Sequence, residues 1–136
     1  MKNLTLVASL LVTVLPSVAH AAPVYNNDYM TDPDGRTLYT FDKDESGKSN
    51  CSGTCLDTWP AFLSKPSAAA QGEFSLINST GGRQWAWKNK PLYYYTGDVS
   101  TGDRNGDGSS GVWHAIPKSA GNDHAGGTSY NNRYSY

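Results

Sequence analysis

The chain has 136 residues, with 11 lysines and arginines, 12 aspartates and glutamates, and a formal net charge of −1 at pH 7. Its basic residues are scattered singly, so neither a nucleic-acid-binding surface nor a polybasic membrane patch is indicated. The length allows one small domain with a hydrophobic core and excludes two independent domains.

The first 21 residues have the pattern of an export signal. Lys2 gives a basic start, residues 4–14 are an apolar run, and Ala19-His20-Ala21 places small residues where a signal peptidase cleaves. We predict cleavage after Ala21 and a periplasmic or secreted protein. The apolar run is shorter than a membrane-spanning helix and no later run is longer, so we expect no membrane span. No cysteine near the cleavage site is placed to carry a lipid anchor.

Short β-type segments separated by turn residues follow, without helical periodicity. Segments 29–31 and 37–41 flank Asp34-Gly35, a dipeptide that favours the tight turn of a hairpin. A loop rich in Gly, Ser and Asp leads to a predicted strand at 59–62. Pro60 places this strand at a sheet edge or bulge, because proline cannot donate a ladder hydrogen bond.

The second half repeats this order after a predicted strand at 74–77. Strands at 84–87 and 92–95 flank Lys88-Asn89-Lys90, and a second Gly-rich and Asp-rich loop leads to a strand at 112–116. The total is six or seven strands. The tail, 119–136, is polar with little to bury, and we predict that it is disordered.

An internal duplication relates the two halves. Six residues recur at a constant offset of 54 positions. They are Leu38, Tyr39, Phe41, Asp44, Ser46 and Trp59, answered by Leu92, Tyr93, Tyr95, Asp98, Ser100 and Trp113. We therefore predict an all-β domain, 22–118, of two pseudo-symmetric hairpin-loop-strand repeats, about 29–62 and 83–116, with antiparallel sheets. Each repeat alone has too few strands to be stable, so we expect one shared core with Trp59 and Trp113 at equivalent positions.

The run from Tyr39 to Asp44, YTFDKD, and its second copy from Tyr93 to Asp98, YYYTGD, resemble a known motif. They are similar to exported bacterial repeats described as secreted repeats of unknown function, or as predicted lipoproteins with a Yx(FWY)xxD motif. The resemblance continues through residues 49–55, 59–60 and 111–113. It implies an exported location and a class of protein, without a chemistry. This chain lacks the lipobox cysteine of many relatives, which favours a free form over an anchored one.

Two cysteines, Cys51 and Cys55, are the only thiols in the chain. An even pair in an exported protein predicts a disulfide, which for so short a loop contributes roughly 2 kcal/mol and mainly shapes a turn. The alternative is a copper or zinc site, since the CxxxC spacing resembles exported copper chaperones, with His114 or His124 as a third ligand. The chain lacks the βαβ pattern of those proteins, which favours the disulfide.

Oxygen ligands in the second long loop suggest calcium. Asp103, Asn105 and Asp107 form D-x-N-x-D-G with the glycine that follows, the first half of an EF-hand loop. The first loop carries a similar pattern. It consists of Asp42, Asp44, Ser46 and Gly47. Neither loop has the final glutamate or flanking helices, and the alternative is that these residues simply build loops and Asx-turns.

Aromatic residues cluster around the second hairpin. Alternation along a strand places Tyr94 opposite Tyr93 and Tyr95, so one set of rings can fill the core while another is exposed. Exposed rings at Trp85, Trp87 and Tyr94 would form an aromatic binding face for a saccharide or a protein. The alternative is that both faces are covered, by the other repeat and by loops.

No catalytic motif is evident. The chain has no G-x-S-x-G sequence, and only two histidines remain after the predicted cleavage. We predict a non-enzymatic envelope or secreted module with a binding or structural role, whose partner is an envelope protein or a saccharide and not nucleic acid. The alternatives are a metal-binding protein, with calcium at the Asp103 loop or copper or zinc at the cysteines, and thirdly a small periplasmic hydrolase. The favoured prediction requires no cofactor; calcium enters with the first alternative.

Overall fold

The computed structural model describes residues 19–121. Most of the predicted signal peptide, most of the predicted tail and His124 lie outside the described residues. The described end of the tail is a 3₁₀ helix, Lys118–Gly121.

Within this range, seven short strands make up most of the regular structure. They are β1 (Val24–Asn26), β2 (Tyr29–Thr31), β3 (Tyr39–Phe41), β4 (Phe74–Ser79), β5 (Gly82–Trp87), β6 (Lys90–Pro91) and β7 (Trp113–Ala115). They form three small antiparallel sheets, in which β1 pairs with β2, β3 with β7, and β5 with both β4 and β6. The predicted all-β class with antiparallel sheets is confirmed.

Two turns of the same kind close hairpins. Asn27 and Asp28 join β1 to β2, and Lys88 and Asn89 join β5 to β6, all with φ between 47° and 69°. Two consecutive residues with positive φ are typical of the type I′ turn, whose twist matches that of paired strands. The sequence predicted the second hairpin. It missed β1, because three residues are too few to show alternation.

Two predicted strands are extended segments and not continuous ladders. Segment 59–62 meets segment 92–95 through one bridge, Ala61 to Tyr93, with the Tyr94 N–H donating to Pro60 O at 2.8 Å. Pro60 supplies only its carbonyl, as expected at an edge. The continuous strand pairing of the second hairpin is instead made by β6, Lys90–Pro91, just before segment 92–95.

One short α-helix, α1 (Thr54–Thr58), was not predicted. A helix of five residues is too short to show periodicity in a sequence. A 3₁₀ turn, Ser109–Gly111, lies in the second long loop. Among the described residues, no helix has the length and apolar character needed to cross a membrane.

The two repeats exchange their last strands. The backbones of Tyr39 and Tyr93 form two hydrogen bonds. The Tyr39 N–H donates to the Tyr93 carbonyl at 2.9 Å, and the Tyr93 N–H donates to the Tyr39 carbonyl at 3.0 Å. On one side of this pair, β7 of the second repeat pairs with β3 of the first. On the other side, segment 59–62 of the first repeat pairs with segment 92–95 of the second. Each repeat is therefore completed by a strand of the other.

Side-chain alternation divides the interior into two cores, each built from both repeats. Leu38 and Tyr39 point to different cores, as do Leu92 and Tyr93. The mixed core consists of Met30, Leu38, Phe62, Trp85, Trp87, Leu92, Tyr94 and Ile116. The aromatic core consists of Tyr39, Cys51, Trp59, Tyr93, Trp113 and Ala115. The two tryptophans that the duplication relates thus occupy the same core.

Candidate functional site

The tyrosine and aspartate of the repeated motif bind each other across the repeats. The Tyr39 hydroxyl donates to Asp98 Oδ2 at 2.7 Å, and the Tyr93 hydroxyl donates to Asp44 Oδ2 at 2.7 Å. The motif tyrosine of each repeat is therefore held by the motif aspartate of the other. The duplication predicts that these residues are equivalent, but it does not predict that they pair across the repeats.

Each of these carboxylates also holds its own loop. Asp98 Oδ1 accepts the Asn105 N–H at 2.9 Å, and Asp44 Oδ1 accepts the Asn50 N–H at 2.7 Å. Burial raises the pKa of Asp44, against the opposing effect of the Asn50 N–H. Burial, followed by the hydrogen bond to Asp98, also raises the pKa of Tyr39.

The pKa of Tyr93 is raised mainly by burial, and its bond to Asp44 adds to this. Tyr94 is a third example, since its hydroxyl donates to Asp32 Oδ2 at 2.7 Å and burial raises its pKa. Three buried phenols are therefore each paired with a carboxylate.

Four rings form a column through the aromatic core. Trp59 and Trp113 stack at its centre, with ring centroids 3.8 Å apart and planes 3° from parallel. Phe41 stacks on Trp113 at 4.2 Å, and Tyr95 lies on Trp59 at 4.6 Å. Phe41 and Tyr95 are equivalent in the duplication, so the column has the same pseudo-symmetry as the fold. Phe41, Trp113 and Trp59 are nearly parallel, whereas Tyr95 is tilted by 31° relative to Trp59.

The three residues predicted to bind calcium point into different parts of the second loop. Asp103 Oδ2 accepts the N–H groups of Val99 and Ser100, at 3.0 and 2.9 Å. Asp107 Oδ1 accepts the Ala115 N–H at 3.0 Å. The Asn105 side chain donates to the Gly97 carbonyl at 3.1 Å. All three side chains therefore close the loop, and calcium binding here stays a prediction.

The acidic residues of the first loop also have separate partners. Asp42 Oδ2 lies 2.7 Å from His114 Nε2, whereas Asp44 bonds to Tyr93 and Asn50. His114, considered above as a soft-metal ligand, is thus paired with a carboxylate in the turn that follows β3.

The disulfide between Cys51 and Cys55 is present, with an S–S distance of 2.01 Å. Neither sulfur is then a thiolate, which is the form that binds copper or zinc. The bond closes the turn that begins α1, as the short spacing indicated. Copper or zinc binding would need the reduced protein.

The predicted aromatic binding face has no exposed ring. Trp85, Trp87 and Tyr94 are 2%, 6% and 4% exposed, and all three lie in the mixed core. Both faces of the second hairpin are covered, because each core takes side chains from both repeats. This corrects the expectation that these three rings lie at the surface.

One group of metal-type ligands is found among the described residues. His20, Asp32 and Asp34 each place a ligand atom within 4.8 Å of the others. Both oxygens of Asp32 are already used, Oδ2 by Tyr94 and Oδ1 by the N–H groups of Asp34 and Arg36 at 2.9 Å. Cleavage after Ala21, as predicted, would also remove His20. The group therefore gives no basis for a metal site.

A cavity of about 330 Å³ lies beside the disulfide, between the first loop and the turn from β4 to β5. It is lined by Gly47, Lys48, Ser49, Cys51, Ser52, Leu56, Ala61, Asn78, Ser79, Thr80, Gly81 and Gln84. We call it the Gln84 cavity. Its volume is within the range of small-molecule sites. Within residues 19–121, no carboxylate lines it, and Lys48 is the only charged residue in its lining.

Gln84 is the unusual residue of this cavity. Its side chain is 0% exposed and its Nε2 donates to the Leu92 carbonyl at 2.8 Å. Among the described residues, its Oε1 has no hydrogen-bond partner. A buried amide oxygen without a donor costs about 1–3 kcal/mol. No sequence pattern singles out this residue, because its burial follows from the register of β5.

A family model described as a secreted repeat of unknown function matches residues 28–62 and 75–116. The two matched segments contain both copies of the motif and cover more than half of the chain. Comparison with curated proteins and with solved structures gave no match.

Proposed function

Because the chain belongs to the family of secreted repeats of unknown function, we propose that it is an exported, non-enzymatic binding module. Its ligand is small and uncharged, and enters the Gln84 cavity. The observation that carries this proposal is a cavity of about 330 Å³ whose lining is largely polar and includes Gln84. Gln84 itself is fully buried beneath this lining, so the polar groups of the cavity wall, and not its Oε1, meet a bound ligand.

The wall of the cavity selects for hydroxyl or amide groups. Its lining includes the polar residues Ser49, Ser52, Thr80 and Asn78, together with the apolar Leu56. A basic ligand finds no counter-charge among these lining residues. An acidic ligand finds only Lys48, which already lies 3.6 Å from Glu45. The end of an envelope saccharide, with its hydroxyl and acetamido groups, has this chemistry.

A rigid frame supports binding in preference to catalysis. The disulfide fixes one wall of the cavity, and the Ser49 hydroxyl is 2.6 Å from the Tyr93 hydroxyl. The acidic residues at the centre of the fold, Asp44 and Asp98, are committed to tyrosines of the opposite repeat. Fixed polar groups reduce the entropy lost on binding.

The test is ligand-observed NMR with the oxidised protein and a panel of uncharged and charged saccharides, including N-acetylated ones. Leu56→Trp would fill the cavity and Asn78→Ala would remove one polar wall, so we expect both to abolish saturation transfer to the bound sugar. Val99→Trp is the matched control, because Val99 is 87% exposed and lies outside the cavity. Binding unaffected by Leu56→Trp, or no binding by any uncharged member of the panel, would overturn the proposal.

A further inference from the structure

We propose that the aromatic column is a path for one-electron oxidation, which leads from Tyr95 at the surface to the buried Tyr39 and Tyr93. This is an activity separate from ligand binding, because none of the column's rings lines the Gln84 cavity.

The rings are close enough to form a continuous path. From Tyr95 to Trp59 the centroids are 4.6 Å apart, and from Trp59 to Trp113 they are 3.8 Å apart. Each tryptophan then meets the motif tyrosine of its own repeat edge-on, Tyr39 at 5.4 Å from Trp59 and Tyr93 at 5.2 Å from Trp113. Electron transfer between rings weakens steeply with distance, and each of these steps is a direct contact.

Each terminal tyrosine has a proton acceptor in place. Removal of an electron from a phenol makes its proton strongly acidic, so the proton must leave at the same time for a stable neutral radical to form. The distance from each hydroxyl to its carboxylate, 2.7 Å, is within the range needed for proton transfer. Burial raises the pKa of both phenols, so at neutral pH they carry the proton that this step must remove.

The two ends of the column differ by one phenolic hydroxyl group. Tyr95 and Phe41 are equivalent, half-buried residues that stack on Trp59 and Trp113. Phenylalanine is far harder to oxidise than tyrosine. The path therefore opens at the Tyr95 end and is closed at the Phe41 end.

A one-electron oxidant, such as a ferryl haem or a ruthenium(III) complex, takes one electron from Tyr95 and is reduced by one unit, while the hydroxyl proton of Tyr95 passes to water. Trp59 then returns an electron to Tyr95, which takes back a proton from water. The electron vacancy on Trp59 moves either directly to Tyr39 or through Trp113 to Tyr93. There the phenolic O–H bond breaks, its proton moves to Asp98 or Asp44, and a neutral tyrosyl radical remains. A one-electron reductant such as ascorbate returns the electron, and the carboxylic acid returns the proton.

The test is flash photolysis of the oxidised protein with a ruthenium(II) photosensitiser and an irreversible quencher, which generates ruthenium(III) in solution. We expect a tryptophanyl radical that decays into a long-lived tyrosyl radical, observed by transient absorption and electron paramagnetic resonance. The double variant Asp44→Asn, Asp98→Asn keeps an acceptor oxygen for each hydroxyl but cannot take its proton. It should lose the long-lived tyrosyl signal and retain the tryptophanyl one.

The two column ends provide a matched pair of controls. Tyr95→Phe should slow formation of the tyrosyl radical, and Phe41→Tyr should speed it by opening the second end. Both changes involve one hydroxyl on a half-buried ring, so we expect the fold to be kept, which circular dichroism checks. The proposal is overturned if Tyr95→Phe has no effect, or if the aspartate-to-asparagine double variant keeps the long-lived signal. If the double variant does not fold, each single variant is tested instead. Each should lose the long-lived radical on the tyrosine whose aspartate was changed, and a single variant that keeps both radicals overturns the proposal.

Discussion

The two long loops, 42–58 and 96–112, occupy equivalent places and are closed by different chemistry. Both begin and end with equivalent backbone bonds, from the Asp42 N–H to the Val112 carbonyl at 2.8 Å and from the Thr96 N–H to the Thr58 carbonyl at 3.0 Å. The first loop is closed by the disulfide and α1. The second is closed by carboxylate and amide side chains that hydrogen-bond to its own backbone and to the backbone of β7.

This difference explains the acidic pattern of the second loop. Asp103 and Asp107 hold backbone N–H groups that the first loop arranges without them. In both loops the outcome is the same, because each presents one aspartate, Asp44 or Asp98, to the tyrosine of the other repeat. The D-x-N-x-D-G sequence therefore has a structural role of its own, whatever its affinity for a cation.

The largest expected effect concerns the stacked tryptophans that the two repeats share. Trp59→Ala and Trp113→Ala should each lower the free energy of unfolding by about 3–5 kcal/mol, because each removes a large buried ring from the aromatic core. Chemical denaturation of the oxidised protein measures both. Similar losses support the pseudo-symmetric core. Unchanged free energies of unfolding in both variants would contradict it.

The motif aspartates test whether the two loops depend equally on the crossed hydrogen bonds. Asp98→Ala should cost about 2–3 kcal/mol, since it leaves the fully buried Tyr39 hydroxyl without its charged acceptor. Asp44→Ala should cost less, because Asp44 is more exposed and the Ser49 hydroxyl stays beside Tyr93.

A double-mutant cycle with Tyr39→Phe separates this bond from the other contacts of Asp98. We expect a clear coupling energy between Tyr39 and Asp98. Additive effects of the two substitutions would show that the bond contributes nothing to stability.

Removal of the disulfide tests the covalent closure of the first loop. Cys51→Ser with Cys55→Ser should lower stability by about 2 kcal/mol, because the closed loop is short and the chain-entropy effect is correspondingly modest. The first loop should become more susceptible to proteolysis, while the second stays protected. Equal cleavage of both loops would mean that their closure is not independent.

Alkaline pH tests the three buried phenols. Tyr39, Tyr93 and Tyr94 have raised pKa values in the folded state, whereas unfolded tyrosine ionises near pH 10. The stabilisation from these buried phenols is therefore fully present below about pH 10. Above that pH the unfolded state binds fewer protons than the folded state, so the free energy of unfolding should fall by about 1.4 kcal/mol per pH unit for each of these tyrosines.

Urea unfolding at several alkaline pH values gives this slope. Replacement of either Tyr39 or Tyr93 by phenylalanine should reduce the slope by the same amount. The expectation fails if all tyrosines ionise reversibly near pH 10 while the fold remains intact, as followed by phenolate absorbance.

The smallest effect concerns the hydrogen-bonded closure of the second loop. Asp103→Ala should cost about 1 kcal/mol, because the N–H groups of Val99 and Ser100 lose their acceptor and turn to water. Asp57→Ala is the control, an exposed aspartate on α1. Thermal unfolding with chelator and then with calcium adds the cation test to the same samples. Equal stability of the two variants would remove the proposed closing role of Asp103.

Much of the fold could be predicted because the duplication marks equivalent positions. The strand class, the disulfide and the paired core tryptophans follow from side-chain types and a constant offset of 54. The offset does not say whether equivalent residues meet within a repeat or across repeats. Tyr39 and Asp44 are close in sequence and suggest a local pair. Their separation into crossed pairs results from the exchange of last strands, which is a property of the whole chain.

The candidate sites were harder to predict, because burial depends on how the repeats pack. Trp85 and Tyr94 have the composition of a binding face and are covered by the mixed core. Gly106 gives the opposite case, a loop residue with a packing role. A Cβ atom at Gly106 would lie 2.7 Å from the Trp59 ring and 2.8 Å from Tyr95 Cγ, so only glycine lets this loop approach the column.

The exchanged strands also determine when the chain can fold. The contacts that complete the first repeat come from the second, and the bonds of Asp42, Tyr39 and Tyr93 span 72, 59 and 49 residues. Pairings of such large sequence separation form slowly, since loop-closure entropy is lost before the contact is gained. A chain delivered from its N-terminus would keep its first repeat incomplete until residue 115 of β7 had emerged. We therefore expect the first repeat to become stable only once the second repeat is present.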